Sequence, residues 1–180
     1  MRNPNSSRIK DVARRIAEQL EATTGCKVAL GGSLASDTMV SGHQDIDLKL
    51  LAPSSLDDEA GVRAMSAAIA PSYPFQKERP YGGDGEQEAY AVVHQLVLQD
   101  NQLGEITVEI LIVPARVYVG YARFMGHLPK WILDAFVAEK AAALAAGDEP
   151  RYKRVKRELY KITRDLYHRG YFEGIDATVW

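Results

Sequence analysis

A run of small residues followed by a strand bearing two carboxylates constrains this chain more than any other stretch. It reads Leu30-Gly31-Gly32-Ser33 and, after a short gap, Asp45-Ile46-Asp47-Leu48-Lys49-Leu50. Residues i and i+2 of a strand share a face. Asp45 and Asp47 therefore point one way, and Ile46, Leu48 and Leu50 point the other way, into a core. Two carboxylates on one face repel each other unless a cation sits between them. Magnesium, a hard ion that prefers oxygen ligands, suits that position. Glycines let a backbone approach a phosphate closely, and the Ser33 hydroxyl adds a donor. Taken singly, Gly-Gly-Ser is most often a plain turn and Asp-x-Asp a solvated strand edge. Together at this spacing, with apolar residues interleaved, they point to an anion and a metal bound side by side.

The rest of the chain supplies a frame for that pair. Ser7 is placed to cap a helix running to about Thr23, with Ile9, Val12, Ala13, Ile16 and Leu20 as its buried stripe and Gly25 as its stop. Lys27 to Leu30 reads as a short strand and Ile46 to Leu51 as the carboxylate strand. A helix is expected over about Leu56 to Ala70, with Asp57, Asp58 and Glu59 at its positive end. Pro71 and Pro74 break the chain, and Tyr81 to Gln87 reads as a polar loop. Tyr90 to Gln99 and Glu105 to Val113 are strands joined by a hairpin turn at Asp100 to Gly104. Helices are expected over about 115–125, 129–146 and 150–170. The organisation is an α/β (α+β) fold: a mixed β-sheet flanked by helices over 1–114, then a helical subdomain over 115–180.

Charge and composition narrow the setting. Net charge is −2 over 180 residues, so the protein as a whole is not built to coat nucleic acid or an anionic membrane. Its cations are concentrated late: Arg151 to Arg169 holds eight Lys or Arg against two acids. No apolar run approaches the roughly 18 residues of a membrane span. The single cysteine, Cys26, excludes an intrachain disulfide framework and fits a reducing compartment. The N-terminus lacks an apolar signal core, which makes a cytoplasmic location the default expectation.

The pattern Gly-Gly-Ser, a gap of about a dozen residues, then Asp-h-Asp-h resembles the signature of the DNA polymerase beta-like nucleotidyltransferase superfamily. The form His43-Gln44-Asp45-Ile46-Asp47-Leu48 is similar to that of lincosamide and aminoglycoside nucleotidyltransferases, and to that of abortive-infection nucleotidyltransferase toxins. The resemblance covers residues 30–51. It implies a nucleotidyltransferase fold, and an NTP held by Gly31, Gly32 and Ser33. It also implies two Mg2+ ions bridged by Asp45 and Asp47, and a third carboxylate on a later strand. Glu109, in Ile106-Thr-Val-Glu-Ile-Leu-Ile-Val113, is the candidate for that third role, with Glu105 as the fallback. An unpaired glutamate inside such an apolar strand is costly to bury, so it needs a metal, a cation or an exposed face. Lys140 lies within the stripe of Leu133, Phe136, Val137, Ala141 and Leu144. It either snorkels to the rim or, as the toxin resemblance implies, neutralises the triphosphate. Thr163 to Tyr167 is similar to an Arg-Asp segment of the same toxins, with Asp165 as either a supporting residue or an ion-pair partner.

The implied reaction is transfer of NMP from an NTP to an acceptor hydroxyl with release of pyrophosphate. Candidate acceptors are RNA (tRNA 3′ ends in particular), another protein, or a small molecule such as an antibiotic. The basic last helix, with the apolar stripe Tyr152, Val155, Leu159, Ile162 and Leu166, favours tRNA as in toxin-type relatives, its plain alternative being a solvated face. A different class of reading is a catalytically weak NTP-binding antitoxin or regulatory module, which requires Glu109 to lie out of reach of the metal. His43 is read as a loop hydrogen-bond partner and His94 as a satisfied core residue.

Overall fold

The computed structural model describes residues 2–41, 44–54, 57–82 and 88–175. Five strands form one sheet: β1 (Val28–Leu30), β2 (Asp45–Ala52), β3 (Phe75–Tyr81), β4 (Ala89–Asp100) and β5 (Gly104–Pro114). Their order is β1-β2-β5-β4-β3. The β2–β5 pair is parallel and the other three are antiparallel, so the sheet is mixed, as expected.

One face of the sheet carries the main core. Ile46, Leu48 and Leu50 of β2 and Ile106, Val108, Ile110 and Ile112 of β5 are fully buried there. Two helices cover them. The first, α1 (Ser6–Thr24), buries Ile9, Val12, Ala13, Ile16, Ala17 and Leu20 at helical spacing, and Gly25 ends it in the left-handed conformation. The second, α3 (Asp58–Ile69), buries Val62 and Ile69 and is capped by the Asp57 carboxylate, which accepts from the Ala60 N–H. Between them in sequence, the short α2 (Gly32–Ala35) follows the glycine turn. His94 is fully buried in β4, with Nε2 2.8 Å from Ser66 Oγ and Nδ1 2.6 Å from the Tyr73 carbonyl. It is a satisfied core residue, as its apolar surroundings suggested.

The opposite face is divided. Ala91, Val93, Leu111 and Val113 make its apolar end, while Asp45, Asp47 and Glu109 make its polar end. After Pro114 the chain is helical: a 3-10 turn (Ala115–Val117), α4 (Tyr121–Met125), α5 (Lys130–Ala145) and α6 (Glu149–His168). Asp148 caps α6 by accepting from the Arg151 N–H. Among the described residues, no helix is long and apolar enough to cross a membrane.

Several local expectations are corrected. Ser7 lies inside α1; the residue at the cap, Asn5, makes no side-chain cap. Strand β3 was not expected, because Phe-Gln-Lys-Glu-Arg-Pro-Tyr has no alternation of apolar and polar residues. It is the sheet edge, mostly exposed, and an edge tolerates Pro80 without losing a ladder bond. The single helix expected over 115–125 is split, because Gly120 adopts φ +72°. Ile162 of α6 is exposed, and Thr163 takes its place in the interior, its hydroxyl donating to the Leu159 carbonyl. His43 and most of the loop after Tyr81 lie outside the described residues.

Candidate active site

The site is assembled by strand register. In the parallel β2–β5 pair, Asp45 lies beside Thr107 and Asp47 beside Glu109. Registered neighbours share a face, so all three carboxylates stand on the side of the sheet away from α1 and α3. On the far side of β5, Gln95 of β4 is registered with Glu109. Arg79 of the edge strand reaches across, its guanidinium 3.9 Å from Glu109 Oε1.

The glycine turn is clamped to the same strand. The Gly31 N–H donates to the Asp47 carbonyl at 2.7 Å, so this amide serves the clamp and Gly31 offers no donor to a ligand. Gly32 has φ +61°, and a Cβ there would stand 1.7 Å from Asp47 Oδ2. Glycine at 32 thus seats the Asp47 carboxylate against the backbone of the turn. Ser33 follows as a buried residue of α2, and its carbonyl accepts from the Thr38 N–H at 2.9 Å.

A cavity of about 490 Å³ opens beside the turn, within the size range of small-molecule sites. Gly31, Gly32 and Ser33 line one side of it, and Ser36, Thr38 and Lys140 continue the wall. Lys49, Arg79, Lys156 and Arg164 also line it, as do Tyr81, Tyr118, Tyr121 and Tyr160. The cavity itself is therefore cationic and aromatic, and the acidic face adjoins it through the Gly32–Asp47 contact.

Lys140 is only 1% exposed, so it does not snorkel. Its ammonium donates to the Thr38 carbonyl at 2.5 Å and to Thr38 Oγ1 at 3.2 Å, which in turn is 2.8 Å from Ser36 Oγ. Its Nζ stands 5.7 Å from the centre of the Tyr152 ring, as does that of Lys156 on α6. Burial, then the positive charge of Lys156, pull Lys140 down to about 7, with Asp47 opposing. Burial also lowers Lys49, against the pull of Asp47 and Glu109. The Tyr152 hydroxyl is pushed above its usual range, first by burial and then by the charges of Asp45 and Asp47. The acidic strand, α5 and α6 thus share one electrostatic environment.

The donor set on the acidic face is all oxygen, which fits magnesium. Among the described residues, no three His, Cys, Asp or Glu side chains stand close enough to share one ion. The reason is visible in the side chains: Asp47 is seated on Gly32, and Glu109 leans toward Arg79. The sequence marked Lys156 and Arg164 only as members of the basic last helix, Arg164 also within the Arg-Asp segment, and it singled out neither Lys49 nor Arg79. Lys49 was readable, because it continues the period-2 face of Asp45 and Asp47. Arg79 was not, because its strand was unrecognised.

No family model matches this sequence, and no curated protein matches it. Solved structures do match in fold. The chain superposes on a cytoplasmic RNA terminal U-transferase with a TM-score of 0.51 at 13% identity, covering 77% of this chain and 40% of that one. It superposes on the E. coli MS115-1 CdnC:HORMA-deltaN complex with a TM-score of 0.50 at 17% identity, covering 97% of this chain and 61% of that one. It therefore spans between 40% and 61% of the length of these two chains. At such identities the likeness is one of fold alone: a central mixed β-sheet flanked by helices, with a helical C-terminal region.

Proposed function

We propose that this protein is a metal-dependent nucleotidyltransferase that moves NMP from an NTP to an acceptor hydroxyl and releases pyrophosphate. One observation carries the reading: the register sets Glu109 beside Asp47, whose carboxylate Gly32 seats at the edge of a cation-lined cavity. The NTP lies with its β and γ phosphates at the Gly32-Ser33 turn, where Lys140, Lys156 and Arg164 offset its charge. Asp45 and Asp47 are the residues that would hold magnesium, with Glu109 either joining them or taking the acceptor proton. The ion, when bound, supplies charge neutralisation at the reacting phosphate. The acceptor oxygen forms a bond to the α-phosphorus as the bond from that phosphorus to the bridging oxygen breaks. The electron pair leaves on pyrophosphate, and the acceptor proton passes to Glu109 or solvent. The chain's contribution is mainly position and preorganised charge.

The acceptor we favour is RNA, tRNA 3′ ends in particular, because α6 presents Lys153, Arg154, Arg157 and Lys161 to solvent beside the cavity. A small-molecule acceptor, such as an antibiotic, is the competing substrate. Incubation of the protein with magnesium, each α-labelled NTP and total tRNA, or a panel of small hydroxyl compounds, separates them by where the label goes. The contact between Arg79 and Glu109 favours a second reading, a catalytically weak NTP-binding regulatory module. That reading predicts NTP binding with no pyrophosphate released under any acceptor condition.

A further inference from the structure

The cavity contains a cation to which the reading above gives no role. Lys49 lies on β2 two residues beyond Asp47 and on the same face, registered with Leu111. Its stem runs along the glycine turn: a Cβ on Gly31 would stand 3.2 Å from Lys49 Cε. Lys140 is held by Thr38, and Arg79 leans on Glu109. Among the described residues, Lys49 has no such hydrogen-bond or ion-pair partner. A half-buried lysine that feels the charges of Asp47 and Glu109 but makes no hydrogen bond or ion pair with a described residue, at the wall of a cavity shared with four other cationic residues, is suited to a polyanion. It also lines that cavity while lying two residues beyond Asp47 on the same strand face, where its charge opposes a cation held by the carboxylates.

We propose that Lys49 is a phosphate ligand of the bound nucleotide, and that its charge keeps divalent ions off Asp45 and Asp47 until a polyphosphate has arrived. The proposal rests on the nucleotidyltransferase reading and adds to it an order: polyphosphate with or before metal. Once phosphate oxygens surround the Lys49 ammonium, its repulsion of the ion is offset, and the carboxylates and phosphates can share the metal.

The test uses probes that need neither the correct base nor the correct acceptor. Inorganic tripolyphosphate, without metal, is titrated by calorimetry into wild type, K49R and K49M. Mn2+ alone is titrated while the free ion is followed by electron paramagnetic resonance. K49M should bind tripolyphosphate about tenfold more weakly or worse, and K49R should stay within about threefold of wild type. K49M should bind Mn2+ alone several-fold more tightly than wild type, a change that a merely structural lysine would not produce. If K49M does not fold, K49Q carries the same expectations. K49M that binds tripolyphosphate as wild type does, or Mn2+ no more tightly, overturns the proposal and leaves the transferase reading intact. Wild-type protein that fails to bind tripolyphosphate overturns both.

Discussion

Gly32 and Asp47 are in such close contact that no side chain fits at position 32. With φ at +61° and the Asp47 carboxylate 1.7 Å from where a Cβ would be, Gly32→Ala carries both a left-handed strain and a clash. The strain alone costs about 1–2 kcal/mol, and the clash can be relieved only by displacing Asp47. Chemical denaturation should show G32A destabilised by at least that amount, and its affinity for NTP should fall about tenfold or more. Gly31→Ala is the milder control, because its Cβ would meet Lys49 Cε at 3.2 Å and the Asp47 carbonyl oxygen at 3.3 Å.

Asp45→Asn and Asp47→Asn preserve shape while removing the charges that would hold a metal. Each is expected to lower NMP transfer by at least about 10²–10³-fold, the scale seen when one preorganised electrostatic group is removed. Because both side chains are half-buried rather than core, the unfolding free energy should change little, by about 0.5 kcal/mol or less. Full activity in either variant would discard the mechanism. Glu109→Gln discriminates between the two functional readings. A drop comparable to that of the aspartates supports a role in the reaction, whereas unchanged turnover assigns Glu109 to its pairing with Arg79.

What was legible in the sequence follows from the range of each signal. The period-2 alternation around Asp45 and Asp47 is local, so the face they share was predictable from β2 alone, and the glycine turn was equally visible. The proximity of Glu109 to Asp47 depends on parallel pairing between strands about sixty residues apart, which periodicity does not encode; only its unusual place in an apolar strand marked it. Lys140 was noticeable for lying within an apolar stripe, but its tie to the Thr38 carbonyl needed the tertiary packing of α5 on the segment after α2. Strand β3 escaped because an exposed edge strand has no buried face to leave a pattern, and the Arg79 contact was hidden with it.

Lys140 should leave a signature in the pH dependence of stability. Its folded value is about 7 and its ordinary value is 10.5, so between those limits the unfolded chain binds the extra proton. Stability therefore rises with pH from about 7 toward 10, at up to about 1.4 kcal/mol per pH unit from this group. Lys49, lowered in the same direction, adds to the slope. Denaturant midpoints measured between pH 6.5 and 9 should climb in wild type, and the climb should shrink in Lys140→Met. A flat wild-type profile, or an unchanged slope in the variant, would show that the ammonium is better solvated than its 1% exposure implies.

The two sides of α6 should separate nucleotide from acceptor. Lys156 and Arg164 line the cavity at an i, i+8 spacing, whereas Lys153, Arg157 and Lys161 face outward. Lys156→Ala and Arg164→Ala should each raise the KM for NTP and leave the KM for acceptor nearly unchanged. If the acceptor is RNA, the outward substitutions should do the reverse. Removing one phosphate-binding cation should also reduce the slope of log affinity against log salt by about 0.7–0.9. The measurement is RNA binding at several salt concentrations, with NTP KM determined in parallel. A salt slope that none of the three outward substitutions changes would mean that this face is merely solvated. The acceptor would then be recognised within the aromatic cavity, as a small molecule would be.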